Sequence, residues 1–252
     1  MSEIESFSLI IVAVVQGVAE WLPVSSEGLS ILVMVNILKL NFSQAFSYAV
    51  FLHLGTMLAV VAKFRKDFSD LFKLRSPLLK QVVPATIFTA LSAIPLMLVV
   101  RNVEAIMANL LIGVLLIATG VLLRLPKEGY RRAVDLSFKE SAALGFFQGF
   151  AILPGISRSG VTISYLLLRK VREEDALKLS FIISVPAVAG ATVLSGVPED
   201  FSVNLAFAVV LTTFLVGYGM IDLLLRFARK VSFSSFCITL GILAIAFTLI
   251  AL

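Results

Sequence analysis

The chain has 252 residues, of which 59% are hydrophobic and 15% are charged, and its mean hydropathy is +1.03. A soluble domain contains about 45–50% apolar and about 25% charged residues, so this composition excludes a soluble globular protein and indicates an integral membrane protein. The formal net charge of +5 comes from basic residues clustered between apolar runs. We therefore attribute the charge to membrane topology and expect no nucleic-acid partner.

The first apolar segment is too short to cross a membrane and ends in a polar turn. Residues 7–22 would form a helix of only about 24 Å at 1.5 Å per residue, and the chain breaks at Pro23 before it resumes at 29–38. Residues 140–153 and 161–168 flank a second turn of this kind. Because irregular backbone at this depth must be buried or line a wet cavity, we predict two re-entrant helix hairpins.

Six other apolar runs are close to the ~20 residues needed to cross about 30 Å of hydrocarbon. In chain order they are 43–63, 80–100, 106–124, 176–195, 203–225 and 234–252. These runs predict six transmembrane helices.

The two hairpins carry nearly the same polar signature, 132 residues apart. This shift superimposes Gln16 on Gln148, Gly17 on Gly149, Ser25 on Ser157 and Gly28 on Gly160. A duplicated polar element interrupted by Gly and Pro is the best sequence pointer to a site near the middle of the bilayer.

The distribution of basic residues predicts the orientation. If each hairpin returns to its own side, the loops on one face hold 17 of the 21 Lys and Arg. These loops are 63–80, 124–139, 169–175 and 226–230. Because basic loops stay in the cytoplasm, we expect both termini outside. The predicted fold is all-α, an inverted-topology repeat of six transmembrane helices plus two re-entrant hairpins, in one domain over 1–252 with repeats at about 7–124 and 140–252.

The residues of the two turns predict an anion site. The second half-helix of each hairpin begins just after its turn, so free N–H groups and the positive dipole end point toward the middle of the membrane. Arg158 adds a planar charge suited to bidentate phosphate contact. A diphosphate fits this group, and we assign its binding to Ser25, Ser157, Ser159, Gly28, Gly155 and Gly160.

Glu20 is the carboxylate of this predicted site. A carboxylate at this depth costs about 2.5–3.5 kcal/mol on insertion scales, which indicates a partner, either a divalent cation or Arg158. Gln16 lies one turn earlier on the same face and can orient the carboxylate, a metal ion or water. We assign catalysis to Glu20, Gln16, Ser26 and Arg158, with water or Ser26 as the nucleophile. Glu27 is either a helix-start charge or a second ligand.

These residues resemble a known family. Residues 16–28 are similar to the (E/Q)xxxE plus PxSS motif of the undecaprenyl-diphosphate phosphatases, the bacitracin-resistance family, and 154–160 match its PGxSRSG motif in full. Residues 51–56 are similar as well. The resemblance implies hydrolysis of undecaprenyl or another long-chain polyprenyl diphosphate to the monophosphate, which recycles the carrier for cell-envelope glycan synthesis. It also implies dependence on Mg²⁺ or Ca²⁺ and a site in the plasma membrane that opens to the outside.

One feature departs from the family pattern. Where the family usually has histidine after the SSxG turn, this chain has Leu29, and Glu27 replaces a common Thr or Ser. His53, the only histidine of the chain, either reaches the site from the next span or serves in packing or an interhelical hydrogen bond. From the sequence we favour a site that works without histidine.

Two other functions fit parts of the pattern. Inverted repeats with broken helices are also a carrier architecture, so a polyprenyl-phosphate flippase using the same anion site is the alternative. Another class of membrane lipid phosphatases uses a histidine nucleophile in an SRx5HxxxD pattern, but no histidine follows Arg158. The sequence leaves open an undecaprenyl or dolichyl-type chain, and whether the protein is a homodimer.

Overall fold

The computed structural model describes residues 3–22, 24–100, 105–124, 129–227 and 233–250. These residues form α-helices and two short 3-10 turns, with no strand ladder among them. In chain order the helices are α1 Glu3–Ala19, α2 Ser26–Asn36, α3 Phe42–Lys63, α4 Arg65–Phe72, α5 Leu79–Val100, α6 Ala105–Leu122, α7 Phe138–Gly149, α8 Arg158–Leu168, α9 Glu173–Ser195, α10 Val203–Phe227 and α11 Phe233–Ile250. The all-helical prediction is confirmed for this part of the chain.

Four helices are long and apolar enough to cross a membrane: α3, α5, α9 and the Val203–Ile221 part of α10. The protein is therefore a multi-pass membrane protein. The predicted spans 106–124 and 234–252 correspond to α6 and α11, whose described apolar parts, Met107–Leu122 and Cys237–Ile250, are shorter. The neighbouring segments 101–104, 125–128, 228–232 and 251–252 lie outside the described residues, as do parts of the predicted basic loops.

Both predicted hairpins are pairs of packed helices that do not reach spanning length. Helix α1 packs against α2, and α7 packs against α8 through the 3-10 turn at 150–152. Pro23, which lies between α1 and α2 in the sequence, is outside the described residues. Each second helix begins where its polar turn ends, at Ser26 in α2 and at Arg158 in α8. The two turns therefore present the N-termini of α2 and α8 inside the bundle.

The helix contacts recur between the two halves of the chain. Helix α1 packs on α10 as α7 packs on α5, and α2 packs on α3 as α8 packs on α9. Helix α3 also packs on α10 as α9 packs on α5, and two pairs join counterparts in the two halves, α3 with α9 and α6 with α11. In the α6–α11 crossing, a Cβ at Gly113 would lie 2.9 Å from the carbonyl oxygen of Gly241. Glycine at this crossing therefore allows the two backbones to approach closely.

An ion cluster outside the spans holds the base of the second hairpin. Glu140, in the first turn of α7, accepts hydrogen bonds from Arg131 Nη1 at 2.9 Å and Arg169 Nε at 2.8 Å, and from the Ser137 backbone N–H at 2.8 Å. The hydrogen bond from Arg131 and these other donors hold the pKa of the Glu140 carboxyl well below its usual range. The cluster links the start of α7 to the end of α8.

Candidate active site

The tips of the two hairpins contact each other through one serine. Ser25 is the N-cap of α2, with φ 56° in the left-handed region, and its Oγ accepts a hydrogen bond from the Gly28 N–H at 3.2 Å. The same Oγ accepts a second bond from the Gly155 N–H at 3.0 Å. A serine in this backbone region is strained, so the two hydrogen bonds to Ser25 Oγ help to hold the turn in this conformation. Ser25 therefore joins two turns that lie 130 residues apart.

The glycines of the turns are required by this close approach. Gly155 has φ +106°, and a Cβ there would lie 2.7 Å from the carbonyl oxygen of Ile112. A Cβ at Gly28 would lie 2.9 Å from the Gly155 nitrogen. Thr119 of α6 donates its hydroxyl to the Gly155 carbonyl at 3.1 Å and accepts from the Ser157 N–H at 3.2 Å. Helix α6 thus holds the second turn against the first.

The second turn is capped in the same way as the first. Ser157 is the N-cap of α8, and its Oγ accepts from the Gly160 N–H at 3.1 Å. The Ser157 and Ser159 hydroxyls lie 3.3 Å apart, and Ser159 Oγ lies 3.4 Å from the Leu22 carbonyl oxygen. The predicted diphosphate-binding residues are therefore together, and two of their hydroxyls also cap helices.

The four predicted catalytic residues form one buried network around the Glu20 carboxylate. Arg158 Nη2 pairs with Glu20 Oε1, across the two halves of the chain. Glu20 Oε2 accepts from Ser26 Oγ at 2.6 Å and from Gln16 Nε2 at 3.0 Å. Gln16 Oε1 in turn accepts from Ser30 Oγ at 3.1 Å. Arg158, one of the two partners predicted for the carboxylate, is therefore in contact with it.

His53 lies in this network. Its Nε2 is 3.2 Å from Glu20 Oε2, and its Nδ1 is 2.7 Å from the Ala49 carbonyl oxygen. Each ring nitrogen therefore faces an oxygen atom, so one imidazole can hydrogen-bond both to Glu20 and to the backbone of its own helix. Leu29 instead packs in an apolar cluster with Val24 and Cys237. Of the two interpretations of His53, the structure favours contact with the site, with the imidazole supplied by α3.

Two buried polar atoms at the site have no hydrogen-bond partner among the described residues. They are Glu27 Oε1 and Arg158 Nη1. Both side chains line a cavity of about 20 Å³. The residues that share it are Glu20, Ser25, Ser26, His53, Ser157 and Ser159. The cavity therefore offers a free N–H donor to an anion and a free carboxylate oxygen to a cation or a donor.

A second, larger cavity begins at the same residues. It measures about 170 Å³ and shares Glu27, His53 and Arg158 with the small cavity. Beyond them its lining is mainly apolar and comes from α5, α9 and the 150–152 turn, including Ala90, Ala93, Ile94, Met97, Ala187, Gly190 and Leu194. A polar pocket and an apolar groove thus meet at three ionisable side chains.

Sequence reasoning missed three residues that support the site. Ser30 carries a detectable signal, because it lies four residues after Ser26 and so on the same face of α2. Thr119 carries none, since its bonds to the second turn depend on where α6 packs. Gln148 was noted only as the counterpart of Gln16, and it donates to Thr89 Oγ1 at 2.9 Å and lines the larger cavity.

Replacing His53 tests its bond to Glu20. We expect His53→Gln, which keeps an N–H donor, to retain at least a tenth of the phosphate-release rate. His53→Leu leaves a buried carboxylate with one donor fewer, which costs about 1.5–3 kcal/mol and predicts a loss of about 30-fold. The rates of both purified variants are compared with wild type. Equal rates for Gln and Leu would show that the ring only fills space.

The chain is similar to known proteins over nearly its whole length. The family model described as bacitracin resistance protein BacA matches residues 9–246. Curated relatives named undecaprenyl-diphosphatase include one from Methanothrix thermoacetophila, which is 44% identical over 97% of this chain and 97% of its own. Others come from Methanococcoides burtonii, 40% identical over 94% and 96%, and Methanopyrus kandleri, 34% identical over 100% and 99%.

Proposed function

The chain belongs to the bacitracin resistance protein BacA family, and from this premise we propose that it is a polyprenyl-diphosphate phosphatase. It hydrolyses undecaprenyl diphosphate, or a similar long-chain polyprenyl diphosphate, to the monophosphate and inorganic phosphate. The product is the lipid carrier for cell-envelope glycans, and its regeneration accounts for the link to bacitracin resistance. The names of the relatives support hydrolysis over transport.

One observation carries this proposal, namely that the two cavities share Glu27, His53 and Arg158. A diphosphate needs positive charge and N–H or O–H donors, which the small cavity supplies. A polyprenyl chain needs an apolar surface, which the larger cavity supplies. A substrate with both parts matches the junction, whereas a soluble phosphate ester would leave the groove unused.

The chain's own residues suggest how the phosphoanhydride is cleaved. Ser26 Oγ donates to Glu20 Oε2 at 2.6 Å, the geometry of a nucleophile beside its base. In the proposed step Glu20 accepts the Ser26 proton as Oγ bonds to the terminal phosphorus. The bond from that phosphorus to the bridging oxygen breaks, and the polyprenyl monophosphate leaves with that oxygen. Water then hydrolyses the phosphoserine, releasing phosphate and returning the proton to Ser26. Arg158 and the N-termini of α2 and α8 stabilise the charge that develops.

The residues of the site also fit the proposed divalent cation. Mg²⁺ is usually bound by one or two carboxylates together with substrate phosphates, and Ca²⁺ also prefers oxygen ligands. Glu27 Oε1 is buried and free beside the cavity that Glu20 also lines. When bound, such a cation supplies positive charge to the phosphate oxygens. Glu27 and Glu20 are the two carboxylates of the site from which its protein ligand would come.

We further propose the inverted-repeat topology for the whole chain, with six spans and the two hairpins re-entrant. It is supported by the recurrence of the α1–α10 and α7–α5 contacts in the two halves. It is also supported by the short lengths of α2 and α8, which are each 11 residues. With the basic loops in the cytoplasm, both termini lie outside and the site opens to the outside of the plasma membrane.

Phosphate release from purified protein tests the proposed function. Detergent-solubilised wild type is incubated with undecaprenyl diphosphate and Mg²⁺, and inorganic phosphate is measured with and without chelator. We expect phosphate release that requires the divalent cation. A carrier binds the lipid but releases no phosphate, so binding without release would contradict the proposal.

Replacing Gly190 tests whether the lipid chain lies in the apolar groove. Gly190 lines the larger cavity, and a Cβ there would meet nothing within 4 Å. We expect Gly190→Leu to fill part of the groove and raise the KM for the long-chain substrate about tenfold, the equivalent of ~1.4 kcal/mol of lost apolar burial. Gly219→Leu is the matched control, since Gly219 is equally open and does not line the cavity. A KM within twofold of wild type for Gly190→Leu would place the lipid chain elsewhere.

A further inference from the structure

Glu27 is a buried carboxyl group with one oxygen that no described residue hydrogen-bonds. It lies in the first turn of α2 and is 7% exposed. An acidic residue there gains from the helix dipole, about 0.3–1 kcal/mol at exposed sites. A buried oxygen without a hydrogen bond costs about 1–3 kcal/mol, and more when charged. The helix-start interpretation therefore does not account for a free Oε1.

The basic side chains that line the same cavity, Arg158 and His53, both contact Glu20. Arg158 Nη2 pairs with Glu20 Oε1. His53 Nε2 contacts Glu20 Oε2, and its Nδ1 contacts the Ala49 carbonyl oxygen. The free groups on the cavity are thus one carboxylate oxygen, on Glu27, and one guanidinium N–H group, on Arg158.

Glu20, the other carboxylate on this cavity, is a poorer metal ligand than the sequence indicated. Its Oε1 is paired with Arg158, and its Oε2 accepts from Ser26 at 2.6 Å and from Gln16 at 3.0 Å. A metal ion on Glu20 would have to displace one of these partners. Glu27 has an oxygen available without such displacement.

We propose that Glu27 is the protein ligand of a divalent cation that binds together with the diphosphate. The cation lies between Glu27 and phosphate oxygens, while Arg158 Nη1 donates to another oxygen of the same diphosphate. This arrangement satisfies both free groups with one metal–diphosphate complex. It rests on the proposed function for the identity of the anion, and it names a ligand at a position where the family commonly has Thr or Ser.

The number of protein ligands also predicts how the affinity for the cation depends on the diphosphate. Among the described residues, no group of three His, Cys, Asp or Glu side chains is placed to hold a metal ion. Substrate phosphates and water would therefore supply the remaining ligands. We expect the cation to bind weakly to the protein alone and at least ten times more tightly when a diphosphate is present.

Mn²⁺ binding in the presence of methylenediphosphonate, which cannot be hydrolysed at its bridge, tests the proposal without turnover. Bound Mn²⁺ is measured by electron paramagnetic resonance for detergent-solubilised wild type, Glu27→Gln and Glu174→Gln. Glu174 is an exposed carboxylate of α9 that serves as the matched control. We expect Glu27→Gln to bind Mn²⁺ at least ten times more weakly than wild type, and Glu174→Gln to match wild type.

Unchanged Mn²⁺ affinity in Glu27→Gln would overturn the proposal. It would mean that the Glu27 side chain does not contact the cation. If Glu27→Gln does not fold, Glu27→Thr replaces it, because the family commonly has Thr or Ser at this position. This variant lacks the carboxylate and should bind Mn²⁺ at least ten times more weakly, and wild-type affinity in it would overturn the proposal as well.

Separate assays distinguish this inference from the proposed function. If wild type releases phosphate while Glu27→Gln binds Mn²⁺ normally, the inference fails and the function stands. If wild type binds Mn²⁺ through Glu27 but releases no phosphate from undecaprenyl diphosphate, the metal site stands and the hydrolytic function fails.

Discussion

Replacing Glu20 with Gln is expected to lower the turnover number at least about 1,000-fold, the equivalent of ~4 kcal/mol of transition-state stabilisation. The change removes the acceptor of the Ser26 proton, and a general base contributes about 10²–10⁴-fold. It also removes the negative charge that faces Arg158 and His53. Gln has nearly the same shape, so the protein should remain folded and inserted. The rate of phosphate release from purified protein measures the effect.

Gln16→Ala provides the comparison for Glu20→Gln within the same network. Gln16 donates to Glu20 Oε2 at 3.0 Å but does not carry charge. Its loss should cost about 1–2 kcal/mol, or roughly 5- to 30-fold in rate. If Glu20→Gln kept activity within about threefold of wild type, under ~0.7 kcal/mol, Glu20 would have no role in proton transfer or charge pairing.

Arg158→Lys should lower kcat/KM at least about 100-fold, although the charge is kept. The planar guanidinium pairs with Glu20 through Nη2 and leaves Nη1 free at the cavity. One ammonium group on a flexible chain does not present two fixed N–H directions, so it serves either the carboxylate or the phosphate. Steady-state kinetics with the long-chain diphosphate measure the loss.

Arg169→Lys is the matched control for Arg158→Lys. Arg169 also binds a carboxylate, Glu140, through Nε at 2.8 Å, but its side chain is 48% exposed and lies outside the two cavities. We expect its replacement to change kcat/KM by less than threefold. Wild-type activity in Arg158→Lys would mean that Arg158 acts as a point charge or only supports the structure.

The sequence predicted best the helices that are long and apolar enough to be identified from length and composition alone. The predicted spans 43–63, 80–100 and 176–195 correspond to α3, α5 and α9 within three residues at each end. The loop predicted at 63–80 contains α4, which is amphipathic and too short to register as an apolar run. The motifs of the two turns also predicted the family, and the family model and the relatives confirm it.

The amino-acid sequence by itself determined the membrane class, the paired hairpins and the polar residues of their turns. Each of these depends on a local property of the chain, namely the length of an apolar run, the residue that caps a helix, or a spacing of four residues on one helix face. Glu20, Gln16 and Ser26 belong to this local set. Only the tertiary structure decided that Arg158 pairs with Glu20, that His53 joins them and that Thr119 holds the second turn. It also decided that Glu27 retains a free oxygen. These contacts join helices far apart in sequence, and their geometry depends on how side chains and glycines pack across α3, α6 and α8.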